Sequence, residues 1–166
     1  MDDAGDCLTA AADDLRALRP ELLGREPWPL SDTYAHVPEA DWGPREVLSH
    51  LAEMLDYWTV ELRRVAAGDG RNPVSFGRVA TDADRLERID TGRRKSTGEL
   101  LDDVIRAIGD ARSFSTGLSA AERNRVGTHP TRGELTVAAS LDRFLCSHLG
   151  EHLSQLREIL ARPRSD

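Results

Sequence analysis

His148-Leu149-Gly150-Glu151-His152 stands near the C-terminal end of a 166-residue sequence. On an α-helix, residues four apart are offset by only about 40° and lie about 6 Å apart along the axis, so two imidazoles at this spacing share a face and can converge on one ion. The surrounding segment reads as helix. From Glu134 to Ala161 the apolar residues Leu135, Ala138, Leu141, Leu145, Leu149, Leu156 and Ile159 recur at helical intervals, with no proline before Pro163. His148 and His152 continue the stripe of Leu141 and Leu145 toward Gln155 and Ile159, so both rings are expected to point inward. One histidine on an apolar face is more often a core residue satisfied by a hydrogen bond. Two at this spacing each need a buried partner, and a shared metal supplies both.

A third donor stands far upstream. Trp42-Gly43-Pro44-Arg45-Glu46 is a helix-entry signal, with Gly43 as a weak cap, Pro44 at the first helical position and Glu46 in the first turn. Beyond it Val47, His50, Met54, Tyr57 or Trp58, and Val65 form an inward stripe that ends before Gly68. An ion held by two imidazoles needs at least one more donor, and His50 lies on this stripe.

The other segments fit the same plan. Leu8, Ala11, Leu15, Leu18 and Leu22 mark a first amphipathic helix that starts among acidic residues, with Pro20 expected to bend it or end it early and a stop near Gly24. Residues 27–41 read as a loop, with Trp28, Tyr34 and Trp42 in or beside it expected to cover one end of the bundle, a pocket wall being the alternative. After the turn from Gly68 to Pro73, Val74 to Val79 is a short extended segment. Thr81 or Asp82 caps a third helical region carrying Leu86 and Ile89. The pattern breaks around Gly92 and Gly98 and resumes from Leu100 to Phe114; Ser96 with Glu99 has capping-box spacing, giving two helices or one kinked helix. Arg85, Arg88, Arg93, Arg94 and Lys95 form a basic cluster expected to be a solvated face, with an anionic-substrate site as the alternative. Val126 to Gly133 reads as a loop. His129 precedes Pro130 and is expected to face solvent, outside any ligand set.

Composition limits the function. With a net charge of −7 the chain is not expected to take nucleic acid as its main partner, since phosphate binding depends on Lys and Arg neutralisation. Aromatic residues are few, which suits a core of Leu, Ala, Val and Ile in helices. No apolar run reaches membrane-spanning length, and the acidic Met1-Asp2-Asp3 is unlike a secretory leader. A cytoplasmic, reduced protein is expected. Cys7 and Cys146 do not make a disulfide framework, and Cys146, about 200° around the helix from His148, is expected to point away from the imidazoles as a small packing residue. Four amphipathic helical segments, two with inward histidines, describe an all-α four-helix bundle, a single domain over residues 1–166 with a site between facing helices.

Trp42-Gly43-Pro44-Arg45-Glu46-Val47-Leu48-Ser49-His50-Leu51, the central Phe76-Gly77-Arg78 with Asp82 and Arg85, and Gly133-Glu134-Leu135 leading to His148 and His152 together resemble the DinB-like superfamily. The nearest branch resembles the mycothiol-dependent maleylpyruvate isomerase and thiol-transferase group. The resemblance implies a bundle with a long crossover after the second helix and a divalent metal on three histidines, here His50, His148 and His152. Gly43 departs from it, standing where the family usually has serine or threonine. It further implies a low-molecular-weight thiol such as mycothiol or bacillithiol, acting on a small electrophile or an activated double bond. Three neutral imidazoles leave a position open on the ion for a thiolate whose pKa the cation depresses. Zinc suits these donors best, and nickel, iron and manganese accept them too. Glu53, three residues past His50, is a candidate general base or outer acceptor, while Gln155 and Arg78 are candidates for orienting His152 or the substrate.

Two rival readings belong beside this one. His148-Leu149-Gly150-Glu151-His152 matches the H-x-x-E-H motif of inverted zinc metalloproteases, which would make Glu151 the base and leave His50 without a role. A non-catalytic, stress-linked metal-binding bundle, dimeric through its exposed helix faces, is the other, since fold and site alone do not establish turnover.

Overall fold

Leucines at helical spacing become four long helical runs in the computed structural model, which describes residues 3–163. Met1 and Asp2, part of the acidic start weighed against a leader, lie outside those residues. Helix α1 spans Asp3–Gly24 and α2 Pro44–Ala66; a short strand β1 (Val74–Ser75) and helix α3 (Ala83–Gly92) form the crossover to α4 (Thr97–Gly117). Then come a helical turn α5 (Ala120–Arg123), strands β2 (Val126–His129) and β3 (Gly133–Thr136), the turn α6 (Val137–Ser140), a π-helical stretch over Leu141–Ser147 and α7 (His148–Ala161). The backbone stays helical from α6 into α7, so the last three make one continuous run. The structure is mostly helical, as the periodicity predicts. No helix of the described residues is long and apolar enough to cross a membrane.

α4 packs against both α1 and α2, and α7 closes the bundle against the same pair. Leu8, Leu15 and Leu22 of α1 meet Leu48, Leu51, Leu55 and Leu62 of α2, Leu100, Leu101 and Ile108 of α4, and Leu145, Leu149 and Leu156 of the last run, all at 0–1% exposure. Each such side chain stabilises the fold by about 1.5–3 kcal/mol relative to leaving it in water. Pro20 does not end α1, which continues to Gly24 with the fully buried Leu22 holding its last turn on the core. The interruption near Gly92 separates two helices. Asp82 caps α3 by accepting from the Arg85 amide at 3.1 Å, and Ser96 and Glu99 complete a capping box at the start of α4.

Several expectations change. Helix does not begin at Glu134: Gly133–Thr136 pairs antiparallel with Val126–His129, and β2 pairs parallel with β1, giving a three-stranded sheet in the order β1-β2-β3. His129 is therefore not in a solvent-facing loop. Strand alternation turns Gly127 and His129 inward, and His129 is 4% exposed. The basic cluster is not one solvated face either, because Arg85 and Arg93 are buried; Arg93 pairs with buried Glu46 at 2.9 Å and lies over the Tyr34 ring. Cys146 does point away from the imidazoles, as its wheel position requires. There it meets α1 and forms a disulfide with Cys7, their Cα atoms 6.0 Å apart, where separate thiols are expected from sequence.

Candidate metal centre

The site is assembled from three segments. α2 brings His50, six residues after the entry at Pro44; the helix ending in α7 brings His148 and His152; and a short 3₁₀ turn, Glu39–Asp41, brings Glu39. Close approach of α3 to α2 completes the frame. The Ser49 hydroxyl donates to the Ile89 carbonyl at 2.8 Å, and Gly92 lies so near that a Cβ there would stand 2.3 Å from Ser49 Oγ. That approach delivers Arg85, whose guanidinium donates to Ala80 O at 2.9 Å and to Glu39 Oε1.

Three imidazole nitrogens converge. His50 Nε2 lies 2.8 Å from His148 Nε2, which lies 3.3 Å from His152 Nε2, and the rings stand nearly perpendicular to one another. Glu39 Oε2 is 3.5 Å from His152 Nε2 and 3.7 Å from His50 Nε2. All four donor atoms fall within 4.8 Å of one another. Gln155 fixes the tautomer of His152. Its Nε2 donates to the carbonyls of Glu39 at 2.8 Å and Trp42 at 3.4 Å, so its Oε1 is the atom that faces His152 Nδ1 at 2.8 Å and accepts that proton. The lone pair of His152 Nε2 is left for the cluster, the arrangement that metal-binding histidines require.

Electrostatics agree with a cation at this point. Burial is the largest influence on His50 and holds its pKa well below the ordinary range, reinforced by the neighbouring imidazoles and opposed by Glu39. His148 is lowered for the same first reason. Burial alone would raise the Glu39 carboxyl, but His152, His50 and Arg85 outweigh it and keep the group ionised far below the usual carboxylate range. Without an ion, His50 Nε2 and His148 Nε2 are close enough to share a proton at 2.8 Å; with Nε2 deprotonated on all three rings, three lone pairs and a carboxylate face one point. A divalent ion fits this donor set.

A cavity of about 680 Å³ opens on the cluster, lined among others by His50, His148, Glu39, Trp58, Phe144 and Arg78. Its volume is in the range that holds a small organic ligand. Trp58 and Phe144 stack at 4.1 Å between centroids, and His129 stacks on Phe144 at 5.3 Å. Gly77, with φ +88°, lets the chain before Arg78 pass His129 so closely that a Cβ would stand 2.4 Å from the ring. Glu53 faces Arg78, which donates to it at 2.6 Å while lying 3.7 Å over the Tyr57 ring; burial pushes the Glu53 carboxyl up against the pull of that arginine. Among the sequence candidates, then, His50, His148, His152 and Gln155 meet at one point. Arg78 lines the cavity, and Glu53 is committed to Arg78.

Glu39 and Arg85 are the members that periodicity does not reveal as site residues. Glu39 lies in a turn after Pro38, where no helical stripe marks it. The DinB superfamily model matches residues 7–156 of the chain. No curated protein and no solved structure gives a significant match.

Proposed function

The chain belongs to the DinB superfamily, and from that premise we propose that it is a divalent-metal protein of the thiol-dependent transferase and isomerase branch, bringing a low-molecular-weight thiol and a small electrophile together. The carrying observation is the convergence of three imidazole Nε2 atoms from two helices at the edge of a cavity. A bound zinc, nickel, iron or manganese ion would depress the pKa of a coordinated thiol such as mycothiol or bacillithiol and so supply a nucleophile near neutral pH. The protein's part is positional. His50, His148 and His152 hold the ion, Gln155 holds His152, and the Trp58–Phe144 stack gives the adjoining cavity an apolar wall that keeps water from the reacting end of the ligand. Glu53 and Arg78 form one charged unit beside that cavity, with Arg78 available to an acid group of the substrate.

A metal-binding protein without turnover is the second reading, and Glu39 favours it, since four protein donors are how structural zinc sites close. Glu151 does not favour the metalloprotease reading: it approaches His148 at Nδ1, 3.5 Å away, on the nitrogen opposite the cluster.

Metal analysis of the protein purified without a polyhistidine tag tests the proposal, alongside His50→Ala, His148→Ala and His152→Ala. About one ion per chain is expected in the wild type, lost in all three variants, with the spectrum of a cobalt-loaded sample shifting on addition of thiol. Full metal content in a folded His50→Ala variant would refute the three-histidine site. An ion indifferent to thiols would shift the assignment to the second reading.

A further inference from the structure

We propose that Glu39 is a fourth protein ligand of the metal, binding through Oε2, and that Arg85 positions it. The inference rests on the three-histidine reading and adds to it a donor from outside the helices; a thiol would then enter as a fifth ligand or in exchange for the carboxylate, and a site that admits neither is the metal-binding protein of the second reading. At zinc–nitrogen and zinc–oxygen distances of about 2.0–2.2 Å, neighbouring ligands of a tetrahedral ion stand about 3.3–3.6 Å apart. His148 to His152 is 3.3 Å, Glu39 Oε2 to His152 is 3.5 Å and Glu39 Oε2 to His50 is 3.7 Å, while His50 to His148, at 2.8 Å, has to open by about half an ångström to admit the ion. Glu39 Oε2 thus stands from His152 at the separation of ligands on one ion and from His50 just beyond it.

The carboxylate is held at both ends for this task. Arg85 occupies Oε1 and is itself anchored on Ala80 O, which turns Oε2 toward the imidazoles. The Glu39 backbone carbonyl accepts from Gln155 Nε2 at 2.8 Å and from the Trp42 amide at 3.1 Å, and the Trp42 indole donates to Tyr34 O at 2.8 Å. Gln155 therefore ties the turn that carries Glu39 to the ring of His152, so that two donors are placed by one side chain. An ion on three neutral imidazoles would keep its whole charge in a largely buried site. The carboxylate halves that charge, and Arg85, taking one oxygen, leaves the other for monodentate binding.

Zinc affinity and the visible spectrum of the cobalt(II) form, measured on the full chain stripped of metal by chelator, test the assignment. Glu39→Gln and Glu39→Ala are expected to bind zinc at least tenfold more weakly and to shift the cobalt bands, with far-UV circular dichroism unchanged. Arg85→Gln is expected to produce the same band shift with a smaller loss of affinity, and Arg85→Lys to recover part of it; a residue that only supports the fold would not move the bands. If Glu39→Ala does not fold, Glu39→Asp, which keeps the charge and shortens the arm, must show the shift. Zinc affinity within twofold of wild type and unshifted bands in Glu39→Gln, while His50→Ala loses the metal, would overturn the role of Glu39 alone. Zinc retained by His50→Ala would overturn the three-histidine reading and this inference with it.

Discussion

His152 and Gln155 show what a residue three positions away does for a metal ligand. The amide holds the imidazole proton on Nδ1, so Gln155→Leu, which keeps the shape and removes the acceptor, is expected to weaken metal binding about 10- to 100-fold in a protein that unfolds at nearly the same temperature; titration against a competing chelator measures it. A second expectation concerns protons. Burial lowers the pKa of His50, His148 and His129 below their ordinary value, so between that value and the folded-state values the unfolded chain binds more protons than the folded one. The stability these groups contribute is present above about pH 6.5 and is lost as pH falls through the folded-state values, while Glu39, its pKa held far lower, stays charged throughout. Urea midpoints of metal-free protein should drop from pH 7 to pH 5; a flat profile would contradict the burial of these rings. The histidine pair and Gln155 were legible because one helix carries them at fixed spacing, and His50 because its neighbours form an apolar stripe. Glu39 was not, since its approach to the imidazoles depends on where α3 places Arg85, a contact between residues 46 apart that no local pattern encodes.

At the scale of elements, α3 decides how the site is framed. Gly92 is the point where it touches α2, and Gly92→Ala would drive a methyl group into Ser49 Oγ, next to His50. Overpacking of this kind costs about 1–3 kcal/mol. We expect a lowered denaturation midpoint together with weaker metal uptake, because the same displacement moves Arg85 and loosens Glu39. Wild-type values for both would show that the α2–α3 contact is slack. The long helices were readable from the leucine period, and the start of α4 from Ser96 and Glu99. The hairpin of β2 and β3 was hidden by its length, four residues on each side, too few for alternation to stand out against a helical pattern that Leu135 and Ala138 also satisfy. The π-helical stretch was equally silent, for Leu141, Leu145 and Leu149 remain buried across it and keep the α-helical spacing in the sequence.

For the molecule as a whole, the metal site joins α2, the Glu39 turn and the last helical run, so an ion that binds the folded form alone must raise its stability. At a free metal concentration of a hundred times the dissociation constant the gain is about 2.7 kcal/mol, or roughly 5–11 °C in the thermal midpoint for a chain of this size, removable by chelator. Calorimetry with and without zinc reads it directly. The bundle could be anticipated from helix count and loop composition. The pairing of two cysteines 139 positions apart could not, because it follows from how α1 lies against the last helical run, and that is decided by the assembled core. This pairing has a topological consequence. Cys7 and Cys146 close the backbone into a covalent ring that contains His50 and Glu39, while His148 and His152 hang from it on a tail. A protease that nicks the ring once, in the turn between Gly68 and Pro73 for example, would open it without releasing a fragment: one band on a non-reducing gel, two after a reductant.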